Sequence, residues 1–212
     1  RRTYADLFLR LSKDENMKQS ALYFYDMNAK VNWSINQNNH VFLSGYFGKD
    51  VLKSGSFGMD WGNATGTLRW NHIFREKLFS NFTLVANRFN YSLGIPEPNV
   101  QAFVWESDLT DYTLKGDFTW YANTNNTVRF GISSIYHNFY PGKVEGLGDT
   151  TTFGTYSISN NYALESGIYV SNNQKIGSLI TLKYGLRLSM FNNIGPDTVF
   201  SYNELGDTTG YT

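Results

Sequence analysis

The chain has 212 residues, with 18 basic and 18 acidic side chains, no cysteine, and an aromatic share of 17%. Zero net charge excludes the cationic surplus that counterion-releasing contacts to nucleic acid require, and the lack of cysteine excludes disulfides and thiolate metal sites. The longest apolar run, Ala21 to Tyr25, is far short of the roughly 20 residues that a membrane-spanning helix needs.

Read with period two, Tyr23 to Ile35 places Tyr23, Tyr25, Met27, Ala29, Val31, Trp33 and Ile35 on one face and Phe24, Asp26, Asn28, Lys30, Asn32 and Ser34 on the other. After the Asn-rich turn 36–39 comes His40 to Val51, where Val41, Leu43, Gly45 and Phe47 oppose Phe42, Ser44 and Tyr46. The next strand sets Ala64, Gly66, Leu68, Trp70 and Phe74 against Asn63, Thr65, Thr67, Arg69 and Asn71, and turns at 75–78. Its partner, Phe79 to Tyr91, has Phe82, Leu84 and Ala86 on one side, but Val85, Phe89 and Tyr91 blur the other.

In the fifth strand Tyr112, Leu114, Gly116, Phe118 and Trp120 oppose Asp111, Thr113, Lys115, Asp117 and Thr119. A turn at 123–126 leads to Val128, Phe130, Ile132 and Tyr136. The final pair sets Tyr162, Leu164, Ile168 and Val170 against Glu165, turns at 172–177, and returns with Ile180, Leu182, Tyr184, Leu186, Leu188 and Met190 against Thr181, Lys183, Arg187 and Ser189. The expectation is about eight antiparallel strands in four hairpins, all-β, as a single segment over 1–212 with neither a plug domain nor a signal peptide among these residues.

Segments of roughly 11 to 15 alternating residues exceed the 9 to 11 with which a tilted strand crosses hydrocarbon. Short connections alternate with long polar ones at about 50–61, 92–108 and 139–158, as periplasmic turns alternate with extracellular loops in outer-membrane barrels. Trp33, Trp70 and Trp120 each lie on the apolar face a few residues before a short turn, where indoles would form a lipid-facing girdle. The opposite face would then be the lumen, because charge facing lipid is costly. That face carries Asp26, Lys30, Arg69, Asp111, Lys115, Asp117, Arg129, Glu165, Lys183 and Arg187.

Four stretches resemble the barrels of TonB-dependent receptors of the bacterial outer membrane, especially the large Bacteroidetes type. They are Arg1-Arg2-Thr3-Tyr4, Phe24 to Trp33, Leu43 to Asp50, and Ala163-Leu164-Glu165 through Tyr184-Gly185-Leu186-Arg187. The resemblance implies a barrel of about 22 strands with a plugged lumen, importing a scarce nutrient of the siderophore, glycan, peptide or cobalamin class. It also implies partners: outer-membrane lipid, the remainder of the barrel and its plug, an inner-membrane energy-coupling protein acting through that plug, and a surface lipoprotein. Two other readings accompany it: a small self-closing outer-membrane barrel with a structural or adhesive role, and a soluble β-sheet binding module.

For the lumenal charges, a ligand path competes with cross-strand pairing that holds the wall or a plug in register. Tyr136, His137, Phe139 and Tyr140 form the densest aromatic cluster and are candidates for ligand contact, although an interfacial aromatic belt explains them equally well. The acidic residues Asp50, Asp60, Glu97, Glu106, Asp108, Glu145 and Asp149 fall in the presumptive loops as solvated surface, without EF-hand spacing. His40, His72 and His137 are widely separated, and neither a nucleophile elbow nor a Gly-rich phosphate loop occurs. No metal, cofactor or enzymatic activity is expected.

Overall fold

A computed structural model describes residues 1–5, 9, 11, 13, 20–195, 200–202 and 208–211. The strands are β1 (Ala21–Asn36), β2 (Asn39–Ser54), β3 (Phe57–Arg75), β4 (Leu78–Ile95), β5 (Phe103–Asn123), β6 (Asn126–Gly146), β7 (Tyr156–Ser157), β8 (Asn161–Ile176), β9 (Ile180–Asn193), β10 (Phe200–Tyr202) and β11 (Thr208–Tyr211). The first nine form one antiparallel sheet in the order β1-β2-β3-β4-β5-β6-β8-β9, with the short β7 also on β6; β10 and β11 pair separately. The fold is therefore an all-β antiparallel meander.

The strands run further than the sequence pattern indicates. Residues 50–61 do not form a long loop: β2 and β3 stay paired to Ser54 and Phe57 around a tight turn. The connection at 92–108 shrinks to 96–102 between β4 and β5, and β6 extends to Gly146. Polar residues at the ends of these strands end the alternation of hydropathy but not the hydrogen-bond ladder, since backbone pairing makes no demand on side-chain polarity. At the last hairpin, 172–175 also belong to β8, and the turn lies between Ile176 and Ile180.

The register gives the strand tilt. The turns close at Asn36 with Asn39, Arg75 with Leu78, and Asn123 with Asn126. Asn39 pairs with His72, three residues short of Arg75, and Leu78 pairs with Trp120, three residues short of Asn123. Each hairpin takes one residue of that back, since Ser80 opposite His72 is two residues from Leu78 and Val128 opposite Trp120 is two from Asn126. A stagger of about 7 Å thus accompanies every two strand spacings of about 4.8 Å, which inclines the strands by about 35° to the normal of the line of turns. Membrane barrels have this slope.

Antiparallel partners share a face, so the register also sorts side chains across the whole sheet. Val31, Leu43, Leu68, Leu84 and Leu114 form one continuous row, and Trp33, Val41, Trp70, Phe82, Gly116, Ile132, Ile168 and Leu188 form the next on the same face. The apolar band on β3 runs from Phe74 to Ala64, and on β9 from Ile180 to Met190. At a 35° tilt such a stretch rises about 27 Å, close to the roughly 25 Å apolar band of an outer-membrane barrel.

No second layer covers this band. Trp33 is 65% exposed, Leu114 57% and Leu186 80%, and among the described residues only Val51, Ala102 and Ala163 are buried hydrophobics. The accessible surface is 15108 Å², against about 10,000 Å² for a compact globule of the same mass. A sheet with so little core depends on something outside it to cover its apolar side. The β4 face that blurred in the sequence resolves here: Phe79 packs edge-on against Tyr121 at 5.6 Å, and Phe89 lies 6.4 Å from Tyr91, both pairs on the polar side.

The sheet is open. Among the described residues β9 does not pair with β1; instead Arg2 bridges Tyr25 antiparallel, Thr3 N–H donates to Phe24 C=O at 3.0 Å, and Asp26 N–H donates to Arg1 C=O at 2.9 Å. The outer edge of β1 thus carries a stretch of extended chain where a small closed barrel would carry β9.

Candidate functional site

The chemistry-bearing side chains collect on the polar face. All ten charged residues singled out from the sequence, Asp26, Lys30, Arg69, Asp111, Lys115, Asp117, Arg129, Glu165, Lys183 and Arg187, occupy it by register. Trp33, Trp70 and Trp120 lie on the opposite, apolar face, three, five and three residues from their turns. Trp70 Nε1 donates to Asn39 Oδ1 at 3.0 Å and its ring stacks 5.5 Å from Phe82.

The polar face divides along the strands. Farther from the short turns the carboxylates are paired: Asp26 is buried and receives Arg1 Nε on both oxygens at 3.2 and 3.1 Å, and Asp111 Oδ1 lies 2.7 Å from His137 Nδ1 across β5 and β6. In the rows beside and opposite His137 stand Asn87, Ala163, Leu109, Phe139 and Ile135. The imidazole and carboxylate therefore tie two strands together without a serine alongside.

Nearer the short turns cations dominate. Arg69 lies 4.7 Å and Lys30 5.9 Å from the centre of the Phe42 ring, so one aromatic face orients two positive charges. Among the described residues no carboxylate is within ion-pair distance of Lys30, Arg69, Arg129, Lys183 or Arg187. Asp117 is the acidic centre of this region. Lys115 Nζ is 3.1 Å from one of its oxygens, and the Tyr169 hydroxyl donates to the other at 2.6 Å.

That last bond spans two strand spacings, from β8 to β5. It is possible because Gly131 separates the two residues in the row Asp117–Gly131–Tyr169. A Cβ at Gly131 would come within 2.7 Å of the Tyr169 ring and 2.6 Å of the Gly116 carbonyl oxygen. Tyr169 was not among the residues the sequence marked. Its only signal is an aromatic out of phase between Ile168 and Val170, legible once Gly131 is known to lie opposite.

The aromatic cluster at 136–140 is not one site. All four residues belong to β6, and strand alternation puts Tyr136 and Tyr140 on the apolar side with Leu114 and Leu84, and His137 and Phe139 on the polar side with Asp111. Tyr136 stacks 6.2 Å from Tyr162 of β8.

A single-layer antiparallel meander, inclined about 35°, with an exposed apolar band on one side and hydrogen-bonded charge on the other, has the architecture of the barrel walls found in outer membranes. No family model matches the chain, and no curated protein matches its sequence. Among solved structures it is similar in fold to an outer-membrane barrel, the copper transporter OprC, with a TM-score of 0.68 over 90% of this chain at 11% identity. The match covers 32% of that protein's length.

Proposed function

We propose that the chain is part of the barrel wall of a TonB-dependent active transporter in the bacterial outer membrane, importing a scarce nutrient. The observation that carries this reading is the pairing of one lipid-type face with one hydrated face across eight strands of a fold found in an outer-membrane transporter. The partners follow from the same reading. They are outer-membrane lipid on the apolar band, further strands at the edges of β1 and β9, a plug against the polar face, an inner-membrane energy-coupling protein acting through the plug, and a surface lipoprotein over the long-loop end. The Bacteroidetes-type likeness rests on the four sequence stretches alone.

The ten polar-face charges would then face the lumen, and the three tryptophans the inner headgroup boundary. A cationic lower wall suits an acidic plug surface or an anionic solute, because unpaired guanidinium and ammonium groups find their partners in whatever fills the barrel. The rings of His137 and Phe139 are the two members of the aromatic cluster positioned to meet a lumenal ligand.

Because the chain lacks cysteine, single-cysteine labelling maps the topology directly. In cells carrying the whole protein, Ser56→Cys at the β2–β3 turn is expected to react with an impermeant maleimide from outside. Asn125→Cys at the β5–β6 turn should react only after the outer membrane is opened, and Leu43→Cys should resist in both cases. Free reaction at Leu43→Cys would remove the membrane assignment. Nutrient uptake should stop when the inner-membrane proton gradient is collapsed; uptake that continues unchanged would make the protein a passive pore.

A further inference from the structure

On the polar face from β5 to β9 the cations are ordered by their distance from the short turns. Lys115 stands eight residues before Asn123, where β5 meets its turn, and Arg187 seven after Ile180, where β9 begins, so the two share a level. Arg129 and Lys183 share the next, each three residues from its turn at Asn126 and Ile180. Lys175, one residue before Ile176, shares the last with Lys77, whose carbonyl accepts from Tyr121 N–H at the end of β5. At about 3.4 Å per residue and a tilt of about 35°, the levels lie about 12 and 7 Å apart. They descend to the short-turn edge of the wall.

Between these pairs runs a trough. Its floor is made of small residues, Ser133 and Gly167 in the row of Lys115, and Ser171 and Gly185 in the row of Arg129. The Arg187 guanidinium reaches in over Gly167, where a Cβ would come to 3.0 Å from its Nη2. At the short-turn edge the trough opens into a cavity of about 450 Å³ bounded by Lys77 and Lys175 and lined also by Tyr121, Asn123, Thr127 and Thr181. Among the described residues Asp117 is the only carboxylate within ion-pair distance of any of the six cations, and its partner Lys115 is still 47% exposed.

The backbone by itself does not call for this charge. The turns 36–39 and 123–126 are built alike: Asn36 and Asn123 each accept from the backbone N–H two residues on and the side-chain amide three residues on. In each, a neighbouring strand also donates an N–H to the third turn residue, Asn38 or Asn125, but the donor is Ile73 at the first turn and Lys175 at the second.

We propose that this trough is the inner half of the path of an anionic solute, which passes from level to level and leaves at the short-turn mouth. The inference rests on the transporter reading, in which the polar face lines the lumen and the short turns face the periplasm. Two features select a passing anion over a fixed acidic surface. Conduction needs sites that are repeated and individually weak, and exposed cations paired at three levels down to the edge meet that need, with forked donors on Arg187 and Arg129 for carboxylate or phosphate. The small-residue floor leaves depth for a solute between them. Farther from the turns Asp26 and Asp111 are already bonded to Arg1 and His137, so the wall grows more positive toward the short turns and its field draws anions inward.

The test uses the whole protein in intact cells, with single cysteines and two thiol reagents, sulfonatoethyl and trimethylammonioethyl methanethiosulfonate, each rate divided by its rate with a free thiol. At Ser171→Cys the anionic reagent should react at least tenfold faster than the cationic one. At Thr65→Cys, on the same face beyond the three levels, the two should agree within threefold. R129Q/K183Q should lower the Ser171→Cys ratio at least fivefold while heat-modifiable gel mobility stays unchanged. Ser133→Cys, at the upper level, should react with the anionic reagent at least fivefold faster with the inner-membrane proton gradient than without it, as a path opened during transport requires. Equal ratios at Ser171→Cys and Thr65→Cys, a ratio that R129Q/K183Q leaves unchanged, a rate at Ser133→Cys that ignores the gradient, or no reaction there at all, the mark of a permanently docked acidic surface, would overturn the proposal. Free reaction of Leu43→Cys on the outward face is a separate result that removes the membrane-wall reading itself.

Discussion

Leu84→Arg should destabilise the folded barrel by about 2–4 kcal/mol, whereas Val85→Arg, one residue along the same strand, should change it by less than about 1 kcal/mol. Leu84 sits midway up the apolar band between Leu68 and Leu114 and is half exposed to whatever covers that face. An arginine there must snorkel out of hydrocarbon or drag water in. Val85 lies on the polar face between Thr67 and Thr113, where a guanidinium stays hydrated. The measurement is equilibrium folding of the whole protein into lipid vesicles, followed by denaturant titration. Equal costs at the two positions, or a larger cost at Val85, would mean that the sheet is not sided by a bilayer.

Gly131→Val should cost about 1–3 kcal/mol through overpacking, and its strand-interior counterpart Gly66→Val should be neutral or stabilising. The two glycines differ in what a side chain would meet. At Gly131 the new Cβ runs into the Gly116 carbonyl oxygen and the Tyr169 ring, so the ring must move and the Tyr169–Asp117 hydrogen bond is lost. That leaves Asp117 with Lys115 alone in a region otherwise rich in cations. At Gly66 nothing lies within 4 Å of the new Cβ, and a β-branched residue suits a strand better than glycine does. Denaturant midpoints of the two variants against wild type decide the matter; equal loss at both sites would show that Tyr169 is not held through the Gly131 notch.

Which residues share a face was readable from the chain alone. The side chains of a strand alternate with a period of two whatever the strand pairs with, so Trp33, Trp70 and Trp120 fall together and Asp111, Lys115 and Asp117 fall opposite. The eight long strands and their hairpin order were legible for the same reason, since Asn-rich breaks interrupt the alternation at 36–39 and 123–126, whereas the short β7, β10 and β11 were not. Strand length was not: Asp60, Glu106 and Asp108 fall in the stretches that read as loops, 50–61 and 92–108, but they lie on paired strands.

Only the tertiary structure decided which residues meet across strands. Register is a long-range property, fixed by hydrogen bonding between segments dozens of residues apart, and a slip of one residue would exchange every face. It brings Tyr169 over Gly131 to Asp117, sets His137 on Asp111, divides Tyr136 and Tyr140 from His137 and Phe139, and places Arg129 level with Lys183 across one trough. Alternation along one strand contains the sidedness; the stagger between strands contains the sites.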